Sequence, residues 1–331
     1  MICDVTALGE LLIDFTQEKG KNGNVPSFTA NPGGAPCNVL AMLAKLGRST
    51  AFVGKVGQDT FGRFLKAAIE EAGIHSGGLR LDPDPAAHTT LAFVHNGADG
   101  EREFSFYRDP GADELLRAEE LPGELLGNSR IFHFGSLSLT REPVRAATRA
   151  AVEQAKAGGA LVSFDPNLRP SLWRDMKTAR EEMLWGCSVC EILKVAREEL
   201  VFLTGCEEED KGTNWLRAQN PDLKLLLITD GSAGSRAVWN GLSVFCPAYR
   251  QVRAVDTTGA GDTFCGCCLH AVLEWGLEGL GEKRLREMLS FANAAAGLVT
   301  TRKGALGSMP APEEIQRLMA EGPAGESGSE G

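Results

Sequence analysis

Short apolar runs alternate with longer segments whose apolar residues recur at helical spacing, and this rhythm spans most of the 331-residue chain. Residues 5–8, 51–53, 131–134, 161–164 and 225–228 read as buried strands. Helices are predicted over 35–46, 62–72, 142–157 and 178–185. Strands that are apolar throughout are covered on both faces, and their alternation with helices implies an α/β fold with a largely parallel sheet. Two stretches break the rhythm. Residues 11–29 are polar and glycine-containing, with strand-like pieces such as LLIDF. Residues 88–107 read as two strands, TTLAFVH and EREFSFY, joined at 96–100 by Asn-Gly and Asp-Gly, both strong hairpin signals. Pattern alone allows an ordinary surface hairpin or a small β element outside the main sheet. The end of the chain, 321–331, has the composition of a disordered tail.

The densest chemistry lies at 256–264, DTTGAGDTF. Beyond it, Phe264, Cys267, Cys268, Ala271, Val272 and Trp275 recur on one helical face. A helix is therefore expected to start near Gly261, with Gly259, Ala260, Gly261 and Asp262 at its N-terminus. Unpaired N–H groups and the helix dipole make such a terminus attractive to anions such as phosphate. An aspartate there can simply favour the dipole, worth about 0.3–1 kcal/mol. Yet a carboxylate inside an anion-binding turn also repels phosphate. Phosphoryl transfer reconciles the two, because the turn holds the phosphoryl group while the acid takes a proton from the incoming hydroxyl.

Charge and composition narrow the partners. Lys and Arg number 34 against 44 Asp and Glu, a net charge of −10, which argues against nucleic acid or an anionic membrane as the main partner. No apolar run approaches the ~18–20 residues of a membrane span, and the N-terminus MICDVTALGE lacks the features of a secretory signal. A cytoplasmic protein is expected. Nine cysteines are present, but Cys265, Cys267 and Cys268 are too close together to bridge one another. Cys187 and Cys190 form a CxxC, yet a zinc site needs two further ligands, and the five histidines offer no spaced pair. Reduced, mostly buried thiols are expected.

VDTTGAGDTFCGC resembles the C-terminal signature of the PfkB (ribokinase-like) carbohydrate kinases, and NPGGAPCNVLAMLAKLG at 31–47 resembles their N-terminal di-glycine motif. GELLIDF, EREFSFYRDPGAD, FDPNLRPSLW, FLTG and FANAAAGLVTTRKGA agree with the family in order, over roughly residues 3–320. The resemblance implies a ribokinase-like three-layer sandwich over 1–320, with a central mostly parallel sheet, flanking helices and a β-sheet lid from about 11–30 and 88–110.

For the site, the resemblance implies Asp262 as the base that deprotonates a sugar hydroxyl and Gly259, Ala260 and Gly261 as the anion hole. Asp14, Gly33, Gly34 and Asn38 are the implied sugar contacts, with Tyr107, Arg108 and Arg169 as further candidates. As residues alone, Asp14 is equally a solvated strand residue, Asn38 a helix-surface amide and Arg169 a partner for Asp165. ATP is expected beside Thr229, Gly231, Gly234, Gly261 and Asn293, with Lys194 either near the phosphates or on the surface. Glu199 matches the glutamate of the family's NxxE motif, associated with magnesium, and its asparagine position is Ala196 here. That departure reduces the metal expectation to contact through water. Asp256, Thr258, Arg302, Gly304 and Ser308 align with a potassium-like site found in some members.

GGAPCN, FYRDPGAD and DPNLRPSLW look more like fructokinases than ribokinases or 6-phosphofructokinases, so ATP-dependent phosphorylation of D-fructose at its 6-hydroxyl is the leading expectation. The nearest alternative is 2-keto-3-deoxygluconate kinase, for which Arg108 or Arg169 would meet the substrate carboxylate. A nucleotide-binding regulator without catalysis is the alternative from another class. A nicotinamide dehydrogenase lacks its marker, since the first βα turn is not GxGxxG. Family members often pair through their lids, so a homodimer is also implied.

Overall fold

The computed structural model describes residues 3–18, 27–96, 102–249 and 251–322. Numbered in chain order, nine strands form one sheet: β1 (Cys3–Leu8), β4 (Thr50–Gly57), β5 (Ile74–Asp82), β8 (Ser129–Gly135), β9 (Leu161–Asp165), β10 (Ile192–Ala196), β11 (Leu225–Asp230), β12 (Gly234–Trp239) and β13 (Leu242–Pro247). Their spatial order is β13-β12-β11-β10-β9-β8-β1-β4-β5. All neighbours are parallel except the edge hairpin, where β12 pairs antiparallel with both β11 and β13. Each of the five predicted strands lies in this sheet.

The sheet is covered on both sides. Helices α1 (Ala35–Lys45), α2 (Thr60–Glu71), α8 (Ala260–Trp275), α9 (Glu282–Val299) and α10 (Pro312–Glu321) contribute to the core on one face. The opposite face carries α3 (Gly123–Gly127), α4 (Val144–Ala157), α5 (Met176–Val189), α6 (Arg197–Thr204) and α7 (Glu209–Gln219). Successive strand residues serve opposite layers: Leu225 and Leu227 join the first core, Leu226 and Ile228 the second. This is why the central strands read as unbroken apolar runs. Helix starts are set locally, as where Asp59 accepts the Gly62 N–H at 2.7 Å ahead of α2 and Asp175 accepts that of Thr178 at 2.7 Å ahead of α5. Helix α8 differs from the one-faced helix expected. Thr263 to Leu269 are all buried, because α1 and α9 flank it against the sheet.

A second sheet holds β2 (Leu12–Glu18), β3 (Ser27–Gly33), β6 (Leu91–Asn96) and β7 (Arg102–Tyr107), in the order β3-β2-β6-β7. The two stretches that broke the rhythm thus pair with each other through β2 and β6. Of the hairpin connection expected at 96–100, Asn96 ends β6 and the rest lies outside the described residues, as does most of the tail, 323–331; Glu321 still belongs to α10.

Strand β1 sits between β4 and β8, so chain order reverses there, and the loops after β1 and β8 diverge to open a crevice at the carboxyl ends of the strands. The small sheet stands over that end, since β2 leaves directly from β1.

Candidate active site

Residues on or just after four neighbouring strands converge in the crevice. Glu10 follows β1, Leu137 follows β8, Asn167 and Arg169 follow β9, and Lys194 lies in the middle of the short strand β10. With Leu12, Asp14 and Phe106 from the small sheet, Gly34 and Asn38 from the start of α1, and the turn before α8, they line a cavity of about 480 Å³. A second cavity of about 420 Å³ lies toward the edge hairpin, walled by Thr229, Gly231, Gly234, Val252, Phe264 and Asn293. Thr257 and Gly261 belong to both walls. The two cavities therefore meet at the glycine turn singled out in the sequence.

That turn needs its glycines. Gly259 caps α8 in the left-handed region (φ 80°), and a β-carbon there would lie 2.5 Å from the Ala305 methyl. Helix α8 then begins at Ala260, one residue before the expected start, so its first amides point into the junction. At Gly34 (φ 122°), a β-carbon would press against the Glu10 carbonyl oxygen at 2.4 Å, and this close approach brings α1 to the cavity.

Asp262 is buried on the cavity wall, and the Asn38 amide donates to its Oδ2 at 2.8 Å. Asn38 is thus neither a surface amide nor only a pocket lining. It orients the acid, while its own Oδ1 is buried without a partner among the described residues. Burial pushes the Asp262 carboxyl up to about 6, helped by the charge of Asp165 and opposed by Asn38, Lys194 and Arg169. Asp14, on the same cavity, is pushed up to about 7 by burial, with Arg169 opposing and Asp256 and Asp262 adding to the rise. Three acids with raised values in one crevice, Glu10 being the third at about 7, mark it as a functional site.

Lys194 is buried rather than on the surface, and it pairs with Asp165 at 3.1 Å. Burial alone would lower its pKa; Asp165, Glu199 and Asp262 outweigh that and raise it. A β-carbon on Gly261 would lie 3.0 Å from its ammonium, so a fixed positive charge sits against the glycine turn. Asp165, the acid that the sequence offers as a partner for Arg169, is taken by Lys194, and Arg169 lines the first cavity instead.

Other expected residues fall elsewhere. Along β7, side chains alternate between faces, so Phe106 lines the cavity while Tyr107 is 67% exposed on the outside against Phe93. Arg108 is not on the cavity wall; it is buried behind it, donating to Asp113 Oδ2 at 2.8 and 2.6 Å and to Thr140 Oγ1 at 3.1 Å. Asn293 walls the second cavity, yet its polar atoms serve the protein: it donates to the Cys246 and Pro247 carbonyls and accepts from Ser235. Glu199 accepts the N–H groups of Leu168 at 2.7 Å and Ala196 at 2.8 Å, which makes it the cap of α6. Asp256 is buried between two loops, accepting from the N–H groups of Thr258 (2.8 Å) and Gly304 (3.3 Å). Ser308 binds the Lys303 carbonyl in the same loop at 2.8 Å, whereas the Arg302 side chain turns to Glu314.

Glu10, Asn167 and Phe106 are site residues that sequence reasoning does not reach. Phe106 had a readable signal in the strand alternation, and Asn167 (φ 45°) carries a backbone conformation that asparagine tolerates better than most residues. Nothing local marks Glu10.

The molecule is thus a three-layer α/β protein with two cavities joined at an anion-binding helix start that carries its own buried acid, the arrangement of a small-molecule phosphotransferase. Its family is explicit: residues 3–312 match the model of the pfkB family carbohydrate kinases, and the chain belongs to that family. It is 43% identical over 317 residues to Fructokinase-1 of Zea mays, covering 95% of this chain and 97% of that one. A fructokinase from Xylella fastidiosa with bound ATP superposes with a TM-score of 0.87 at 33% identity, covering 96% of this chain and 98% of the other. A fructokinase double mutant from Vibrio cholerae O395, in its fructose, ADP and potassium ion bound form, superposes with a TM-score of 0.83 at 28% identity over 96% and 98% of the two chains.

Proposed function

We propose that the chain is an ATP-dependent fructokinase that transfers the γ-phosphoryl group of ATP to the 6-hydroxyl of D-fructose. The observation that carries this reading is the meeting of the two cavities at the 259–262 turn, with Asp262 on the wall of the sugar-side cavity. ATP occupies the cavity of Thr229, Gly231 and Gly234, and its terminal phosphate lies on the first amides of α8. The sugar is held by Asp14, Asn38, Arg169 and the backbone at Gly33 and Gly34. Asp262 takes the proton of the 6-hydroxyl, the oxygen bonds to the γ-phosphorus, and the bond to the β-phosphate oxygen breaks as ADP leaves. The turn amides and Lys194 stabilise the charge on the transferring group.

A neutral ketose suits this cavity better than a keto acid. Glu10, Asp14 and Asp262 give it three carboxyl groups, and Arg108, one of the two arginines offered for a substrate carboxylate, is committed to Asp113, which leaves Arg169 alone. A panel of fructose, 2-keto-3-deoxygluconate, ribose, tagatose, adenosine and fructose 6-phosphate with ATP tests the reading through kcat/KM. Fructose is expected to lead. Preference for the keto acid would replace the substrate, and ATP turnover with no acceptor would favour the regulator.

Magnesium accompanies ATP in this reading. No cluster of three acidic, histidine or cysteine ligands occurs among the described residues, and each Glu199 oxygen accepts a backbone N–H that fixes the start of α6, so the reading assigns Glu199 a contact with the ion through water. The loops of Asp256, Thr258, Gly304 and Ser308 are assigned to a monovalent cation, the buried Asp256 carboxylate joining the two loops. A cytoplasmic location accords with nine free cysteines, all but Cys206 buried, and no described helix is long and apolar enough to cross a membrane. The outer aromatic face of the small sheet is assigned to a homodimer.

A further inference from the structure

Glu10 lies at the mouth of β1, 4% exposed, on the wall of the sugar-side cavity beside Leu12, Asp14 and Asn38. Its Oε1 accepts the Ala35 N–H at 2.9 Å and so anchors the first residue of α1. Its own backbone N–H also favours the ionised form, and no side chain donates to the carboxylate among the described residues. Two carboxylate oxygens offer about four acceptor sites. A buried carboxylate with so few donors is costly unless something else supplies one.

The surroundings offset part of that cost, and burial still leaves the Glu10 carboxyl at about 7. Arg108 lies behind Glu10 and its positive charge favours the ionised carboxylate, opposing the effect of burial. Arg108 is itself immobilised: Asp113 accepts from it twice, Leu137 O accepts at 3.2 Å, and Thr90 donates to the far oxygen of Asp113 at 2.6 Å. The arginine expected from sequence to touch the substrate is thus held by Asp113 away from the cavity; its charge favours the ionised Glu10 carboxylate and that of Asp113 opposes it.

We propose that Glu10 is a specificity-determining residue of the sugar cavity, its remaining acceptor sites taking a hydrogen bond from a hydroxyl of the acceptor sugar. The proposal rests on the sugar-kinase reading above. It also gives that reading a selective element, because a substrate carboxylate has no proton to donate to Glu10 and is repelled as Glu10 and Asp14 ionise above about pH 7.

Glu10→Gln separates the two tasks of the side chain. The glutamine carbonyl continues to accept from Ala35 N–H, while its amide presents a donor where the sugar needs an acceptor. The expected result is a Tm at pH 7 no lower than that of the wild type, a KM for fructose raised about 10- to 100-fold, and a much smaller change in kcat. Against a series of monodeoxyfructoses, one analogue should be penalised by the wild type and lose that penalty in E10Q. The preference for fructose over 2-keto-3-deoxygluconate should also narrow. Glu10→Asp keeps the charge but shortens the reach, and should raise KM likewise. A folded variant of either kind with wild-type KM, or no analogue whose penalty disappears, overturns the assignment. Failure of the wild type on fructose would instead sink the functional reading, and the variants are then compared on whichever acceptor the panel favours.

Discussion

Asp262 is buried, hydrogen-bonded through only one oxygen by a side chain, and close to the negative charge of Asp165. Its carboxyl sits at about 6 where an exposed aspartate would be near 3.8, so the native state binds its proton more tightly than the unfolded chain. The stability this contributes is fully present below pH ~4 and is lost as pH rises through about 6; keeping the group ionised at neutral pH costs about 3 kcal/mol. Catalysis runs the other way, because the base works only when ionised. The acid limb of kcat/KM, which reports the free enzyme, is therefore expected near pH 6. Asp262→Asn keeps an acceptor for Asn38 but neither ionises nor takes a proton. It should lower kcat by about 10²–10⁴-fold while raising Tm at pH 7. A variant with lower Tm would mean that the acid is stabilised in a way burial does not capture. At this scale the sequence was informative where a residue type is compelled locally, as at Gly259, whose φ and contact with Ala305 exclude a side chain. It was uninformative where the partner is remote: Glu10 acquires its role from Ala35 and Arg108, and Tyr107 was preferred to Phe106 although the two differ only in which face of β7 they occupy.

Among the elements, central strands were legible because both faces are buried, whereas the edge strand β13 exposes alternate residues and reads weakly. Helix α8 announced its start through glycines, but its burial on nearly every side depends on α1 and α9, which no local pattern reveals. The pairing of β9 with β10 is likewise a tertiary fact, and it creates the Asp165–Lys194 contact at 3.1 Å, both side chains under 10% exposed. Lys194→Ala leaves Asp165 buried without its cation, which should destabilise the fold by about 3–5 kcal/mol. Asp165→Ala added to it should restore much of that stability, since neither charge then remains buried. Activity should not return with it, because the ammonium against Gly261 is still missing. Denaturant unfolding and kcat measured on the single and double variants distinguish these effects. Recovery of both together would make Lys194 a structural residue only.

For the whole molecule, the small sheet has two unlike faces. One closes the sugar-side cavity with Leu12, Asp14 and Phe106, and the other gathers aromatic rings. Phe15 stacks on Phe93 at 5.0 Å, Phe28 and Tyr107 meet Phe93 edge-on at 5.5 and 5.3 Å, and Phe61 of α2 meets Phe15 at 5.8 Å. Tyr107 remains 67% exposed, and Phe64, on the same helix as Phe61, 44%. Aromatic surface of this kind favours association, and a second copy offers the same patch in a self-complementary, two-fold arrangement. The edge strands β3 and β7 flank that patch, so pairing there would also cover backbone groups that an isolated four-stranded sheet leaves open. Because the opposite face closes the cavity proposed for the sugar, dimerisation should tighten substrate binding by holding the sheet over it. Tyr107→Asp places a charge in the patch at a position too exposed to disturb the fold. It should shift the mass measured by light scattering at micromolar concentration from dimer to monomer, leave Tm nearly unchanged, and raise KM for the sugar more than it lowers kcat. A wild-type chain that is monomeric at those concentrations would remove the dimer, and a Tyr107→Asp monomer with unaltered KM would uncouple assembly from the sugar site.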